Sequence, residues 1–301
     1  MNNTPLLIAI LFFSTTSFSE TTLEKGKYIF MASGCMNCHS PDKSKPLAGG
    51  LKIATDFGDF YTPNISSDPK FGIGNWSDKD FLMALRKGIS PKKQFYYPSF
   101  PFTSYSKLSD EDILAMKTYI MSLPPQAVEN KKSVLKSPYN HRALMFAWRA
   151  LNFKKHFLSE EEKVVTKYQG VYKINPNRSE SWNRGAYLVE GALHCTECHT
   201  PRNALGGLVA KKWMSGALFE EKEVAGNLTS DLETGKGAWG SKEWETFLSE
   251  GETPEGEIVS GEMWQVIKNG TSKLTDSDRA DVAVYLQSLK AVKNTVSAPL
   301  E

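Results

Sequence analysis

The four cysteines of the chain fall into two copies of one pattern, Cys35-Met36-Asn37-Cys38-His39 and Cys195-Thr196-Glu197-Cys198-His199. C-x-x-C-H is the attachment signal of a c-type haem. Two thiols three positions apart on a helical turn can each add to a haem vinyl group, and the adjacent histidine then projects to the iron as the axial ligand on one face. Other chemistries use the same residue types. A redox dithiol needs C-x-x-C but not the histidine that follows it both times. Disulfides at this spacing close strained rings. Zinc would take Cys, Cys and His, and each site would lack a fourth ligand of the same cluster. The expectation is therefore two covalent haems, on Cys35/Cys38 and Cys195/Cys198, with His39 and His199 on the irons.

The elements that must hold these motifs also occur twice. Lys25-Gly26-Lys27-Tyr28 precedes the first motif and Arg184-Gly185-Ala186-Tyr187 the second. Downstream, Asn64-Ile65-Ser66-Ser67-Asp68 matches Asn227-Leu228-Thr229-Ser230-Asp231, and Trp76 and Trp239 follow at the same spacing. Leu108-Ser109-Asp110-Glu111-Asp112 matches Leu274-Thr275-Asp276-Ser277-Asp278. A duplicated unit is the economical reading, and 301 residues accommodate two domains. Ser109 with Asp112, and Thr275 with Asp278, have capping-box spacing and predict a helix from each; Ser77 and Asp80 open another. Ile113, Met116, Ile120 and Leu123 recur at helical spacing before Pro124-Pro125, and Val282, Tyr285, Leu286 and Leu289 form the second stripe. Gly26 and Gly185 sit inside the helices entering the motifs. A mid-helix glycine costs stability, so close approach of another helix is expected there, with Tyr119 and Tyr285 as crossing partners.

Between the repeats, residues 127–180 match neither copy. Leu144, Met145, Phe146, Trp148, Leu151 and Phe153 make the first part apolar, and Ser159 to Lys167 is charged. A helix bridging both domains is expected, with a docking face for a partner or a membrane surface as the alternative. At the N-terminus, the apolar run from Leu6 to Phe13 followed by Ser17-Phe18-Ser19 reads as a secretory signal cleaved after Ser19. The run falls short of the roughly 20 apolar residues a bilayer span needs.

Tyr61-Thr62-Pro63-Asn64-Ile65, Gly72-Ile73-Gly74-Asn75-Trp76-Ser77, residues 97–105 (Tyr97-Pro98-Ser99-Phe100-Pro101-Phe102-Thr103-Ser104-Tyr105) and His199-Thr200-Pro201-Arg202-Asn203 carry a family resemblance. Both units resemble class I c-type cytochrome domains, and the chain from about residue 22 to 292 is similar to cytochrome subunits of periplasmic alcohol, gluconate and related dehydrogenases. The best-known of those carry three haem motifs and a C-terminal membrane-associating segment, where this chain has two motifs and no such segment. The resemblance implies an all-α fold of two tandem class I domains joined by a helical linker. The expected organisation is a signal peptide at 1–19, domains at 20–126 and 181–292, a linker at 127–180 and a tail at 293–301.

It also implies where a second axial ligand belongs, in the segment before each closing helix. In the second unit that segment is Ser260-Gly261-Glu262-Met263-Trp264, so Met263 is the expected iron ligand, with Met214 as fallback. In the first unit the segment has Phe100 where related proteins often carry methionine, and a phenyl ring does not bind iron. Met116 and Met121 lie on the closing helix, Met83 on the helix from Ser77, and Met31 ahead of the motif. Three states stay open for the first haem: five-coordinate with an apolar distal side, a non-equivalent methionine, or Lys92, Lys93, Tyr97 or His141. His156 and His194 read as structural. The Pro46-Leu47-Ala48-Gly49-Gly50 loop resembles the one whose proline carbonyl orients the ligand histidine in class I cytochromes. Trp76, Trp239, Asn64, Asn227 and Arg202 suit either propionate contacts or packing and turns.

The formal charge of +2 gives no broad basic surface for nucleic acid, and two haems with ionised propionates bring it to about −2. No acid, base and nucleophile converge in the sequence. The leading expectation is a periplasmic electron-transfer protein, paired with a dehydrogenase and with a quinone, cytochrome or oxidase acceptor; peripheral membrane association stays open. A dihaem enzyme such as a peroxidase, acting at the first haem, is the rival class, and a gas sensor the third.

Overall fold

The computed structural model describes residues 16–153, 171–219 and 223–296. The apolar run of the expected signal, the charged segment at 159–167, His156 and the end of the tail lie outside the described residues. The expected cleavage point after Ser19 falls within the first helix, α1 (Thr16–Ala32).

Two copies of one helical frame make up the fold. In the first, α1 leads into α2 (Cys35–His39), followed by α3 (Asp78–Lys87), α4 (Phe102–Tyr105) and α5 (Asp110–Ser122). In the second, α7 (Glu180–Tyr187) runs through a π-helical turn, Leu188–Ala192, into α8 (Thr196–His199), then α9 (Ser241–Glu250), α10 (Gly261–Asn269) and α11 (Asp276–Gln287). The two crossings expected at glycine are present. A Cβ at Gly26 would overlap the Ala115 carbonyl of α5 and reach within 3.2 Å of Tyr119 Cβ, and one at Gly185 would overlap the Asp281 carbonyl of α11 and reach within 2.9 Å of Tyr285 Cβ. Rings seal both crossings edge-on, Phe30 against Tyr119 at 5.1 Å and Trp182 against Tyr285 at 5.2 Å. Ile113, Met116 and Ile120 on one side, and Val282, Tyr285, Leu286 and Leu289 on the other, are buried in one continuous core.

Three expectations need correction. The fold is mostly helical but not all-α. β1 (Lys52–Thr55) and β2 (Gly58–Tyr61) form an antiparallel hairpin with β3 (Val134–Leu135) at its edge, and β4 (Ala217–Phe219) pairs with β5 (Glu223–Ala225). The first hairpin turns at Asp56-Phe57, ahead of a glycine at φ 119° that accommodates the close backbone of Val134 and Leu135. Second, among the described residues of the linker ahead of α7, helix is confined to α6 (Leu144–Trp148) and its π-helical extension Arg149–Phe153. This short helix does bridge: Met145, Trp148 and Phe153 pack with Phe102, while Trp148 Nε1 donates to Leu205 O at 2.8 Å on the second repeat. Third, the caps at Ser109 and Thr275 are half-boxes, whereas Ser77 with Asp80 closes fully.

The missing halves explain how the repeats dock. Ser109 and Thr275 accept from the N–H of Asp112 and Asp278, but those carboxylates turn outward to the other repeat. Tyr187 donates its hydroxyl to Asp112 and accepts the Ser109 N–H at 3.0 Å. Tyr28 likewise donates to Asp278 and accepts the Thr275 N–H at 3.3 Å. Each helix start is thus capped by a tyrosine from the opposite copy, satisfying an orphan donor that a third-position side chain normally covers. Lys25 pairs with Asp112 at 2.9 Å and Arg184 with Asp278 at 2.7 Å, so the arrangement is reciprocal.

Candidate functional site

The same backbone frame surrounds each motif. After the first, Gly49 donates to His39 O at 2.8 Å, Leu47 N–H donates to Ser40 Oγ at 2.8 Å, and Leu47 O accepts from Ile65 at 2.9 Å. After the second, Gly216 donates to His199 O at 2.8 Å, Met214 N–H donates to Thr200 Oγ1 at 3.0 Å, and Met214 O accepts from Leu228 at 2.9 Å. Leu47 and Met214 both hold positive φ, 64° and 52°. Met214 is therefore the counterpart of Leu47, fully buried behind the histidine, and not a second candidate for the segment around Met263.

Each motif histidine is fixed by one backbone carbonyl. His39 Nδ1 lies 2.7 Å from Pro63 O, and His199 Nδ1 lies 2.7 Å from Gly226 O. A carbonyl only accepts, so Nδ1 carries the proton and Nε2 presents its lone pair. Burial lowers both imidazole pKa values, which keeps the rings neutral. The carbonyl expected from the Pro46 loop thus comes from elsewhere. Pro63 and Gly226 immediately precede the matched Asn64 and Asn227, so the two carbonyls occupy one place in the repeated frame although their residue types differ. The two asparagines serve the turn itself: Asn64 Oδ1 accepts from Ser66 and its amide donates to Gln126 O and Val128 O, and Asn227 does the same for Thr229 and Val292 O. Arg202 binds Glu197 and Gly206 O.

The two motifs come together at the repeat interface: a Cβ on Gly34, just ahead of the first, would lie 4.0 Å from His194 Nε2, just ahead of the second. Burial raises the Cys198 thiol to about 12, with Arg202 opposing the rise and Glu197, Cys38 and Glu262 adding to it, so Cys38, Cys198 and the Glu262-Met263 segment share one electrostatic neighbourhood. The third residue of each motif is clasped by the opposite copy. Glu197 accepts from the hydroxyls of Thr103 and Ser104 in α4, and Asn37 Oδ1 accepts from Asn269 of α10 at 2.7 Å. Glu197 is buried, which favours its neutral form, yet Arg202 and these hydroxyls outweigh that and hold its carboxyl below the usual range. His194 is also structural: its Nε2 lies 3.3 Å from Ser33 O and its ring stands edge-on to Tyr105.

The segments before α5 and α11 align through backbone pairing. Ile89 bridges Phe95 and Tyr96 donates to Gly88 O at 2.8 Å; Glu252 bridges Ile258 and Val259 donates to Gly251 O at 2.9 Å. Phe100 and Met263 each follow four residues later. Met263 sits half-buried in the first turn of α10 against the core. Phe100 sits among rings, 5.6 Å from Tyr96, 5.7 Å from Tyr105 and 6.5 Å from Phe102. Lys92, Lys93 and His141 are exposed, and Tyr97 directs its hydroxyl to Tyr139 O in the linker.

These residues fit covalent haem. The four cysteines are free of disulfides. Trp244 Nε1 is buried and donates to no acceptor among the described residues. Nearby, Lys236 lies 4.3 Å over the Trp239 ring, Trp239 stacks edge-on with Trp244, and burial lowers the Lys236 pKa with only Glu255 opposing. Lys236 also acts electrostatically on His199. An indole N–H and a desolvated ammonium beside an imidazole suit a planar group bearing carboxylates. In the first repeat the corresponding positions are Phe81 and Ile73, both buried and apolar.

A chain with duplicated C-x-x-C-H motifs on such a frame is of the c-type cytochrome class. Residues 23–124 match the cytochrome c family. Over 274 residues the chain is 37% identical to a diheme cytochrome c-type protein of Cereibacter sphaeroides, covering 89% of this chain and 86% of that one. It is 34% identical over 280 residues to the cytochrome c subunit of a quinone-dependent alcohol dehydrogenase of Gluconobacter oxydans, covering 91% of this chain and 56% of that one. It is 34% identical over 281 residues to the gluconate 2-dehydrogenase cytochrome c subunit of Pantoea cypripedii, covering 91% and 60%. The chain thus spans little more than half the length of these two dehydrogenase subunits. It belongs to the c-type cytochromes, specifically to the group shared by dihaem cytochromes and dehydrogenase cytochrome subunits, and carries covalent c-type haem.

Proposed function

We infer that the chain is an exported two-haem electron carrier, built from tandem class I units at 20–126 and 181–292, that takes electrons from a dehydrogenase and passes them to a quinone, a cytochrome or an oxidase. The observation that carries this reading is the approach of the two C-x-x-C-H motifs across one interlocked interface. The names of the relatives support the dehydrogenase partner. Haem supplies a one-electron iron couple. In the proposed assignment Cys35, Cys38, Cys195 and Cys198 form the thioethers, His39 and His199 present Nε2 to the irons, and Met263 supplies a thioether on the second. The Pro63 and Gly226 carbonyls stop the rings from rotating. The Asn37 and Glu197 clasps hold both motifs at one separation, so little rearrangement accompanies a change of charge. Among the described residues no helix is long and apolar enough to cross a membrane. The periplasm is the proposed location because covalent haem attachment accompanies the export-type N-terminus.

The test is a haem count on the purified full-length chain, by haem-stained denaturing gel and pyridine haemochromogen. Two covalent haems are expected, with one left in Cys195→Ala/Cys198→Ala. Haem-free protein from cells competent in haem attachment refutes the reading. Fractionation of the same cells checks the location.

A further inference from the structure

The two repeats share a backbone frame but not the side chain at the place where Met263 stands. The bridges Ile89/Phe95 and Glu252/Ile258, with the hydrogen bonds from Tyr96 to Gly88 and from Val259 to Gly251, put Phe100 and Met263 in one register. Phe100 is packed there among rings: Tyr96 stands edge-on at 5.6 Å and Tyr105 tilted at 5.7 Å. Several other donors are committed elsewhere, and Met31 and Met121 pack against the core. Tyr105 donates to Ser33 O at 2.9 Å, and Tyr97 to Tyr139 O at 2.9 Å. Met116 is buried in the stripe of α5, and Met145 packs from the linker against Trp148 and Phe153. His194 turns to Ser33 O. Burial holds the Tyr96 phenol protonated, with a pKa pushed up to about 12, so a phenolate ligand is disfavoured.

We propose that Phe100 denies the first haem a protein ligand opposite His39, leaving that iron face, on the attachment reading above, as a binding site for a small neutral π-acceptor such as carbon monoxide or nitric oxide. The aromatic surroundings favour a neutral diatomic over an anion, because an unpaired charge is costly among apolar rings. The second repeat, with Met263 in the same register, is closed to the same ligand.

The experiment titrates carbon monoxide into the anaerobic, dithionite-reduced full-length protein whose haem content has been counted. The expected Soret change saturates at one carbon monoxide per chain, and the oxidised protein shows one high-spin and one low-spin haem by EPR. Phe100→Met removes carbon monoxide binding and adds a second thioether-to-iron charge-transfer band. Met263→Phe, the reverse exchange, raises the stoichiometry to two per chain and shows that the assay detects an opened haem. A protein that counts two haems yet binds no carbon monoxide, or whose haems are both low-spin, overturns the proposal while leaving the electron-carrier reading intact. A count below two haems overturns that reading first and the proposal with it.

Discussion

Lys107→Met tests the docking of the two repeats at its most buried point. Lys107, just beyond α4, reaches across the interface to Glu190 at 2.7 Å, and the two side chains are only 4% and 7% exposed. Tyr285 donates to the other oxygen of Glu190, so the carboxylate is fully engaged. Removing the ammonium leaves a buried carboxylate with one phenol. Breaking a buried pair from one side costs about 3–5 kcal/mol, mostly through the stranded charge. Methionine keeps most of the volume and Tyr285 keeps its hydrogen bond, which argues for the lower end, about 3 kcal/mol. Denaturant unfolding of the holoprotein at neutral pH, followed by far-UV circular dichroism, reads the loss. The double variant Lys107→Met/Glu190→Gln should recover most of it, since no charge is then stranded. A single variant within about 1 kcal/mol of wild type refutes the argument, as does a double variant no better than the single.

Three further outcomes follow from the same geometry. Gly185→Ala gains up to about 1 kcal/mol of helix propensity but drives a methyl into the Asp281 carbonyl, so the net effect is a loss of about 2 kcal/mol or more; an unchanged melting temperature would falsify the close crossing. Burial favours the neutral form of Asp278, but hydrogen bonds from Arg184 and Tyr28 outweigh it and lower the folded-state pKa. Its stability contribution is therefore present above the unfolded value of about 3.9 and lost as pH falls through the lower folded one, so Asp278→Asn should weaken the protein at pH 6, with the gap to wild type closing as acid unfolding curves pass below the folded-state pKa. Lys236→Met removes a desolvated cation beside His199 and should lower the potential of the second haem by tens of millivolts in a spectroelectrochemical titration, leaving the first unmoved.

The sequence displayed the chemistry more fully than the fold. Both motifs, both glycine crossings and the unequal pair Phe100 and Met263 were visible because each depends on residue type at a fixed spacing. The carbonyls that orient the histidines were hidden for a simple reason: any residue has a carbonyl, and only a fold shows that Pro63 and Gly226 occupy one place. Asp112 and Asp278 misled in an instructive way. Their spacing fits a local capping box, but a tyrosine from the other repeat competes better for the carboxylate and covers the cap donor itself. Lys107 with Glu190, and Glu197 with Thr103 and Ser104, were likewise out of reach, since residues more than eighty positions apart leave no periodic trace. The short hairpins were missed because strands of three or four residues show too little alternation to stand out from turns.

Three of the departures between the two copies point one way. At three matched positions the second repeat has Met263, Lys236 and Trp244 where the first has Phe100, Ile73 and Phe81. A thioether ligand favours ferrous iron, a half-buried ammonium disfavours added positive charge on the metal, and an indole N–H can share the charge of a propionate. With haem attached as proposed, each would raise the potential of the second site, against the buried Glu197 carboxylate that stands where the first motif has Asn37 and is offset by Arg202. Because the frame is otherwise repeated down to the carbonyl behind each histidine, the difference rests on these side chains rather than on the backbone. On the electron-carrier reading proposed above, this ordering would send electrons from the first repeat to the second, entering on the side of His39 and leaving on the side of His199; a spectroelectrochemical titration that places the second haem below the first refutes it. The interlocking tyrosines and the buried Lys107–Glu190 pair fix the distance over which that step occurs, so its rate should respond to the driving force set by Phe100, Met263 and Lys236 and little to motion between the repeats.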